Sequence, residues 1–223
     1  MPRLARLVIP NIPYHITQRG NRKQNVFFSD KDRKRYIELL IRYSSIYNFD
    51  IQAYCLMSNH VHIIGIPRNA ESMPRTIQLV HTRHAQAVNR EHRWQGHLWQ
   101  SRYFATTLDD DHLWLAIRYV EQNPMRAGVV ERAGDYIWSS AAFHCGVRKN
   151  DPVIKQDARL RQMFVNWSEA LTEVPDTEAL DLLRRRTRTG IPCGDEGFMK
   201  RMSEKTGVKY VDRKWGRPSK PDK

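Results

Sequence analysis

Two histidines one residue apart, His60 and His62, stand in the run Tyr54-Cys55-Leu56-Met57-Ser58-Asn59-His60-Val61-His62-Ile63-Ile64-Gly65-Ile66-Pro67. Residues two apart on a β-strand point to the same side. A strand entered at His60 therefore presents both imidazoles to one spot, where they can share a metal ion. Imidazole is the commonest protein metal ligand and titrates near neutral pH. Such a pair alone is more often two surface or core histidines, and the chemistry needs a third ligand and a reacting group.

Tyr119 and Asn123 supply a second constellation, followed by Pro124-Met125-Arg126-Ala127-Gly128. Four residues apart on a helix, the two side chains project together. A phenol, with an unperturbed pKa of about 10, is a poor nucleophile at neutral pH without help. A divalent cation on a phosphate neutralises its charge and aligns an in-line attack. His60 and His62 would supply two ligands and the Asn123 amide oxygen a third, leaving positions for phosphate oxygens and water. Oxygen donors suit Mg²⁺ and imidazoles favour Mn²⁺, so both metals stay open. The plain alternative makes Tyr119 a half-buried packing residue ahead of an Asn-Pro helix stop.

Elements must bring these residues together. Tyr14-His15-Ile16-Thr17-Gln18 predicts a strand, and Arg19-Gly20-Asn21-Arg22-Lys23 a basic turn. Asp30 is placed as the N-cap of a helix from Lys31 to Tyr47, with Tyr36, Leu39, Leu40, Tyr43 and Tyr47 as its inward stripe. Strands follow over Phe49 to Met57 and Val61 to Ile66. A second helix runs from Ser72 to about Asn89, with Ile77, Val80, Ala87 and Val88 inward. His81 and His84 are assigned to its basic, solvated face with Arg75, Arg83, Arg90 and Arg93. Leu98 to Thr107 reads as the fourth strand. This strand, helix, strand, strand, helix, strand order predicts an α+β fold: a ferredoxin-like split βαβ palm, an antiparallel sheet with helices on one face. Asp109-Asp110-Asp111 caps a third helix, with Leu113, Ala116, Ile117 and Val120 as its core face, which should stop near Asn123 because Pro124 restricts the residue before it.

Bulk composition narrows the partners. The 223 residues carry 37 Lys+Arg against 24 Asp+Glu, a formal charge of +13. That excess points to a polyanion, nucleic acid before membrane. Cys55, Cys145 and Cys193, odd in number and far apart, form neither a disulfide framework nor a Cys-rich zinc site. No apolar run reaches the length of a membrane span, and the N-terminus lacks a signal-peptide core, so a cytoplasmic, nucleoid-associated protein is expected.

Beyond residue 148 a helical C-terminal extension is expected over 149–207, after the catalytic region 1–148. Within 135–146 one more helix should pack on the palm. Asp176 to Thr189 and a helix capped by Asp195 and ending at Gly207 follow, read either as a helix-turn-helix or as a plain cap on the palm. The tail 208–223 carries six cations against two aspartates. Its Gly216-Arg217-Pro218 matches part of an AT-hook, a minor-groove binder, and otherwise the tail adds non-specific affinity.

With these residues in place the chain resembles a known family. Asn59-His60-Val61-His62 is similar to the His-hydrophobic-His motif of HUH endonucleases. Tyr119-Val120-Glu121-Gln122-Asn123-Pro124-Met125-Arg126-Ala127-Gly128 is similar to the nucleophile helix of single-tyrosine transposases. With Tyr14-His15-Ile16-Thr17-Gln18-Arg19-Gly20-Asn21-Arg22 and Trp99-Gln100-Ser101-Arg102-Tyr103, the resemblance is to the REP-associated tyrosine transposase branch, over roughly the first two thirds of the chain. It implies a divalent metal (Mg²⁺ or Mn²⁺) and cleavage of single-stranded or hairpin DNA through a covalent 5′-phosphotyrosine with a free 3′-OH. By position Tyr119 matches the nucleophile, His60 and His62 the paired ligands and Asn123 the third, where more distant relatives tend to carry Gln. Arg19, Arg22, Lys23, Arg102 and Arg126, nearest the motifs, and Arg217 in the tail are the candidate DNA contacts. Two other readings stay open: a transposase-derived protein that binds DNA hairpins without cutting them, and a metallohydrolase that uses water. Monomer and homodimer are equally open.

Overall fold

The computed structural model describes residues 7–155, 165–174 and 176–210. Four strands form one antiparallel sheet: β1 (Tyr14–Arg19), β2 (Phe49–Met57), β3 (His60–Pro67) and β4 (Phe104–Thr107), in the order β2-β3-β1-β4. With α1 (Asp30–Ile46) between β1 and β2, and α2 (Ser72–His92) between β3 and β4, this is the ferredoxin-like arrangement.

Side-chain alternation assigns each face. Tyr14 and Ile16 of β1, and Val61 and Ile63 of β3, meet Tyr36 and Leu40 of α1 and Ile77 and Val80 of α2 in one core. A register shift between Ile51 and Ala53 reverses the parity of β2, so Phe49 and Ile51 share that face with Tyr54 and Leu56. Ala53, Cys55 and Ile64 point the other way, into a second core. The palm's own helices thus lie on one face as expected. The opposite face, where the parity of β1 and β3 sends His15, His60 and His62, is covered by other elements.

That cover is α3 (Asp110–Glu121), whose Leu113, Ala116, Ile117 and Val120 pack with Leu180 and Leu183 of α7 (Thr177–Thr189). Between them come α4 (Asn123–Arg126), α5 (Ala141–His144) and α6 (Trp167–Ala170); α8 (Glu196–Thr206) follows. Both sheet edges are closed. Leu56 N–H donates to Trp138 O and Ser140 N–H to Tyr54 O beside β2; Cys193 N–H donates to Thr107 O beside β4.

Several expectations need correction. The fourth strand is four residues long, not ten: Trp99 makes a lone bridge to Gly20, and the chain leaves the sheet before rejoining it at Phe104. Ser29, not Asp30, caps α1, in a capping box with Asp32. The third helix does not simply stop, since Pro124 in the first turn of α4, where no N–H is needed, lets the chain turn helical again after Gln122. Over 135–146 there is only the four-residue α5 after a 3-10 turn. His81 and His84 are buried, not solvated. His81 Nε2 shares a 2.8 Å hydrogen bond with the Tyr36 hydroxyl, and His84 Nε2 donates to Val26 O at 2.8 Å. Helical periodicity could not separate them from the arginines beside them, because the wide face of α2 is clamped between α1 and the sheet.

Candidate active site

His60 opens β3 directly opposite Arg19, the last residue of β1. Its Nδ1 meets Asn59 Oδ1 at 2.6 Å, while Asn59 Nδ2 donates to Lys23 O at 3.1 Å. The basic turn is docked there by Gly20 N–H, which donates to Asn59 O at 2.8 Å. Glycine is required: a Cβ at Gly20 would lie 2.2 Å from Gln24 O. Arg22 and Lys23 adopt left-handed backbone, φ 51° and 63°, and both are exposed.

His62 is buried. Its Nδ1 is 2.9 Å from Nε2 of His15, and the two rings lie nearly parallel, 6° apart. His15 Nδ1 in turn is 2.8 Å from Thr187 Oγ1 of α7. Burial, reinforced by Arg19, lowers the His60 pKa to about 4, and burial alone lowers His15 to about 3. His62 is pushed well below 6.5 by burial, then by His15, His60, Arg126 and Arg19. Of these neighbours only Arg126 and Arg19 carry a full charge at physiological pH, and both are cationic. All three rings are neutral at physiological pH.

Tyr119 reaches the same spot from α3. Its ring stands edge-on to His62 at 5.5 Å and to His15 at 5.9 Å. Arg126 lies over the phenol face at 4.3 Å and donates through Nη2 to the Tyr119 carbonyl at 2.9 Å. Arg184 of α7 sits 5.4 Å from the ring centre and is hydrogen-bonded to the phenol, which raises the guanidinium pKa. Asn123, half-buried one turn after Tyr119, donates Nδ2 to the carbonyls of Tyr119 and Val120 at 3.1 and 3.2 Å, leaving Oδ1 as its acceptor end.

The donor set fits a divalent cation. Both rings of the pair are neutral, and both use Nδ1 for hydrogen bonds, so the paired ligand atoms would be their Nε2 atoms. His15 has both nitrogens engaged and cannot join them. Among the described residues no three His, Cys, Asp or Glu side chains could hold a metal, so a third ligand drawn from them would be of another type, as the Asn123 amide is.

The structure therefore gathers His60, His62, Tyr119, Arg126 and Arg19, with Arg22 and Lys23 on the adjoining turn. Arg102 is exposed in the loop before β4. Arg217 lies outside the described residues. Sequence reasoning missed His15, Arg184 and Thr187. The period-two strand pattern carried a signal for His15, which shares parity with Thr17; Arg184 and Thr187 had none, because α7 lies far away in the chain. It also missed Phe28, His92 and Trp94, three exposed rings packed 4.4–5.2 Å apart. Phe28 precedes α1, His92 ends α2 and Trp94 follows it, at the palm end where His60 sits.

Fold and site together define a class: a ferredoxin-like palm with a strand-borne imidazole pair facing a helix-borne tyrosine. The family model "Transposase IS200 like" matches residues 8–123, just over half of the chain, and the chain belongs to that family. It is 26% identical over 113 residues to a curated Haemophilus influenzae protein (strain ATCC 51907 / DSM 11121 / KW20 / Rd) named "Putative REP-associated tyrosine transposase". That match takes in 46% of this chain and 63% of the relative, so the chain spans less than two thirds of the relative's length. A REP-associated tyrosine transposase solved bound to a REP hairpin has the same fold, with a TM-score of 0.55 at 17% identity over 70% of this chain and 93% of that one. No helix among the described residues is long and apolar enough to cross a membrane.

Proposed function

We propose that the protein is a metal-dependent, tyrosine-nucleophile endonuclease and strand transferase acting on hairpin-forming single-stranded DNA. The observation that carries this reading is the placement of the Tyr119 ring 5.5 Å from His62 beneath the Arg126 guanidinium. Family membership and the hairpin bound by the solved relative support the choice of substrate.

In the reaction, Tyr119 Oη forms a bond to phosphorus as the P–O3′ bond breaks. The phenol gives up its proton and O3′ takes one up, leaving a 5′-phosphotyrosine and a free 3′-OH. Because the phosphoester is exchanged rather than hydrolysed, attack by a 3′-OH on the linkage rejoins strands with no external energy source. Mg²⁺ or Mn²⁺, if bound, would supply charge neutralisation at the scissile phosphate. His60 and His62 would hold the ion through Nε2, with Asn123 Oδ1 as third protein ligand. Arg126 and Arg184 flank the phenol, where negative charge builds during transfer. Arg19, Arg22, Lys23 and Arg102 meet the backbone phosphates. Phe28, His92 and Trp94 offer faces on which unpaired bases stack.

The test is a labelled hairpin oligonucleotide incubated with protein and either metal, then run on a denaturing gel. The wild type should retain a protein-linked fragment. Tyr119→Phe should lose it while still shifting the hairpin in a native gel, and His60→Ala should lose cleavage. An undiminished adduct from Tyr119→Phe overturns the nucleophile. Cleavage by the wild type without adduct means a water-using nuclease, and binding without cleavage means a hairpin-binding protein.

A further inference from the structure

We propose that Thr187 and His15 set the tautomer of His62, so that helix α7 of the C-terminal extension is a positioning part of the metal site rather than a cap over it. The inference rests on the proposed function only in taking His62 as a ligand; the tautomer itself does not depend on it.

The direction of every hydrogen bond in the chain follows from one end. Leu183 O carries no proton and lies 2.7 Å from Thr187 Oγ1, so the hydroxyl proton must lie between them. Thr187 Oγ1 is then an acceptor, and the group 2.8 Å away, His15 Nδ1, must be the donor. A neutral His15 protonated on Nδ1 has only a lone pair on Nε2. The partner 2.9 Å from that lone pair, His62 Nδ1, must therefore donate. One proton remains on His62, on Nδ1, and its Nε2 keeps the lone pair a cation requires. The cationic alternative for His15 would put a charge in a buried position whose contacts among the described residues are Thr187, His62 and the Tyr119 ring, none of them a carboxylate.

His60 is locked from the opposite side by the same logic. Asn59 Nδ2 donates to Lys23 O, which turns Asn59 Oδ1 toward His60. An amide oxygen only accepts, so His60 Nδ1 carries the proton and Nε2 the lone pair. Two unrelated segments, the basic turn after β1 and helix α7, thus present the two histidines in the same ligand-ready form. Partners behind metal-binding imidazoles orient the ring and raise its basicity. Neither Thr187 nor His15 would touch the ion.

The relay predicts an effect at a distance. Thr187→Val is nearly isosteric but removes the acceptor for His15 Nδ1–H. His15 then avoids an unsatisfied buried N–H by moving its proton to Nε2, where it donates to His62 Nδ1. His62 must in turn carry its proton on Nε2, where a ligand lone pair was needed. Thr187→Ser restores the hydroxyl and should restore the pattern.

Full-length protein with ¹⁵N-labelled histidine, metal-free at pH 7.5, reads the tautomers directly from long-range ¹H–¹⁵N spectra. The wild type and Thr187→Ser should show His62 protonated on Nδ1, and Thr187→Val on Nε2. Mn²⁺ titration by calorimetry should give an affinity about 10- to 100-fold weaker for Thr187→Val and close to wild type for Thr187→Ser. A wild-type His62 protonated on Nε2 overturns the proposal without any variant, as does a folded Thr187→Val with unchanged tautomer. If no protein binds Mn²⁺, the metal reading fails while the spectra still decide the relay.

Discussion

Tyr119 is held from three sides. Arg126 grips its carbonyl and covers its ring, Arg184 meets the phenol from α7, and the imidazoles stand at its edge. Burial lowers the Arg126 pKa, partly countered by Tyr119 and reinforced by Arg184, yet a guanidinium stays charged at neutral pH. Two cations beside one phenol match a phosphoryl transfer better than packing, where an apolar neighbour would serve. Arg126→Gln should slow adduct formation about 100-fold, the typical loss for one preorganised charge donor. Hairpin affinity should change far less. Single-turnover rates with a labelled hairpin measure the first and native gels the second; an unchanged rate would reduce Arg126 to a packing residue.

At the scale of elements, α3 has to stay in place for Tyr119 to face the sheet. Its apolar stripe supplies most of the grip, but Glu121 is a buried anchor at its end. That carboxylate accepts from the Ser140 hydroxyl, from Trp167 Nε1 at 2.7 Å and from His144 Nδ1 at 2.6 Å. Two segments far apart in the chain, α5 with its N-cap Ser140 and α6, therefore close on one residue two positions from Tyr119. Glu121→Ala leaves buried donors without an acceptor, which costs about 1–3 kcal/mol for each group left unmatched. Urea unfolding should lose on the order of 3 kcal/mol, and a loss under about 1 would mean that water or a rearranged partner replaces the carboxylate. The Asn-Pro step belongs to the same scale, since the kink after Gln122 brings Arg126 back over Tyr119.

For the whole molecule, the buried histidines make stability depend on acid. Burial lowers His81 to about 3, with His84 adding to the effect, and lowers His84 to about 4. Both folded values lie below the unfolded value of about 6.5, so the unfolded chain binds more protons between them. Their contribution is complete above about pH 6.5 and is lost as pH falls toward 4 and then 3. Within that window each histidine costs up to about 1.4 kcal/mol per pH unit, and His15 acts in the same direction. Urea midpoints of the metal-free protein should hold level from pH 7.5 to about 6.5 and then fall steadily to pH 5. A flat profile over that range would mean that these imidazoles are charged in the folded state.

Local pattern determined much of this protein. The element order, the parity that puts His60 and His62 on one side of a strand, the spacing of Tyr119, Asn123 and Arg126, and the α7 and α8 boundaries all follow from periodicity and capping. Such signals are carried by residues within a turn or two of each other. What only tertiary structure decided is which face of the sheet α3 covers, that His81 and His84 are core, and that His15, Arg184 and Thr187 belong to the site. Those facts depend on contacts between segments far apart in the chain, where hydrogen-bond direction and burial are settled by packing and no local spacing records them.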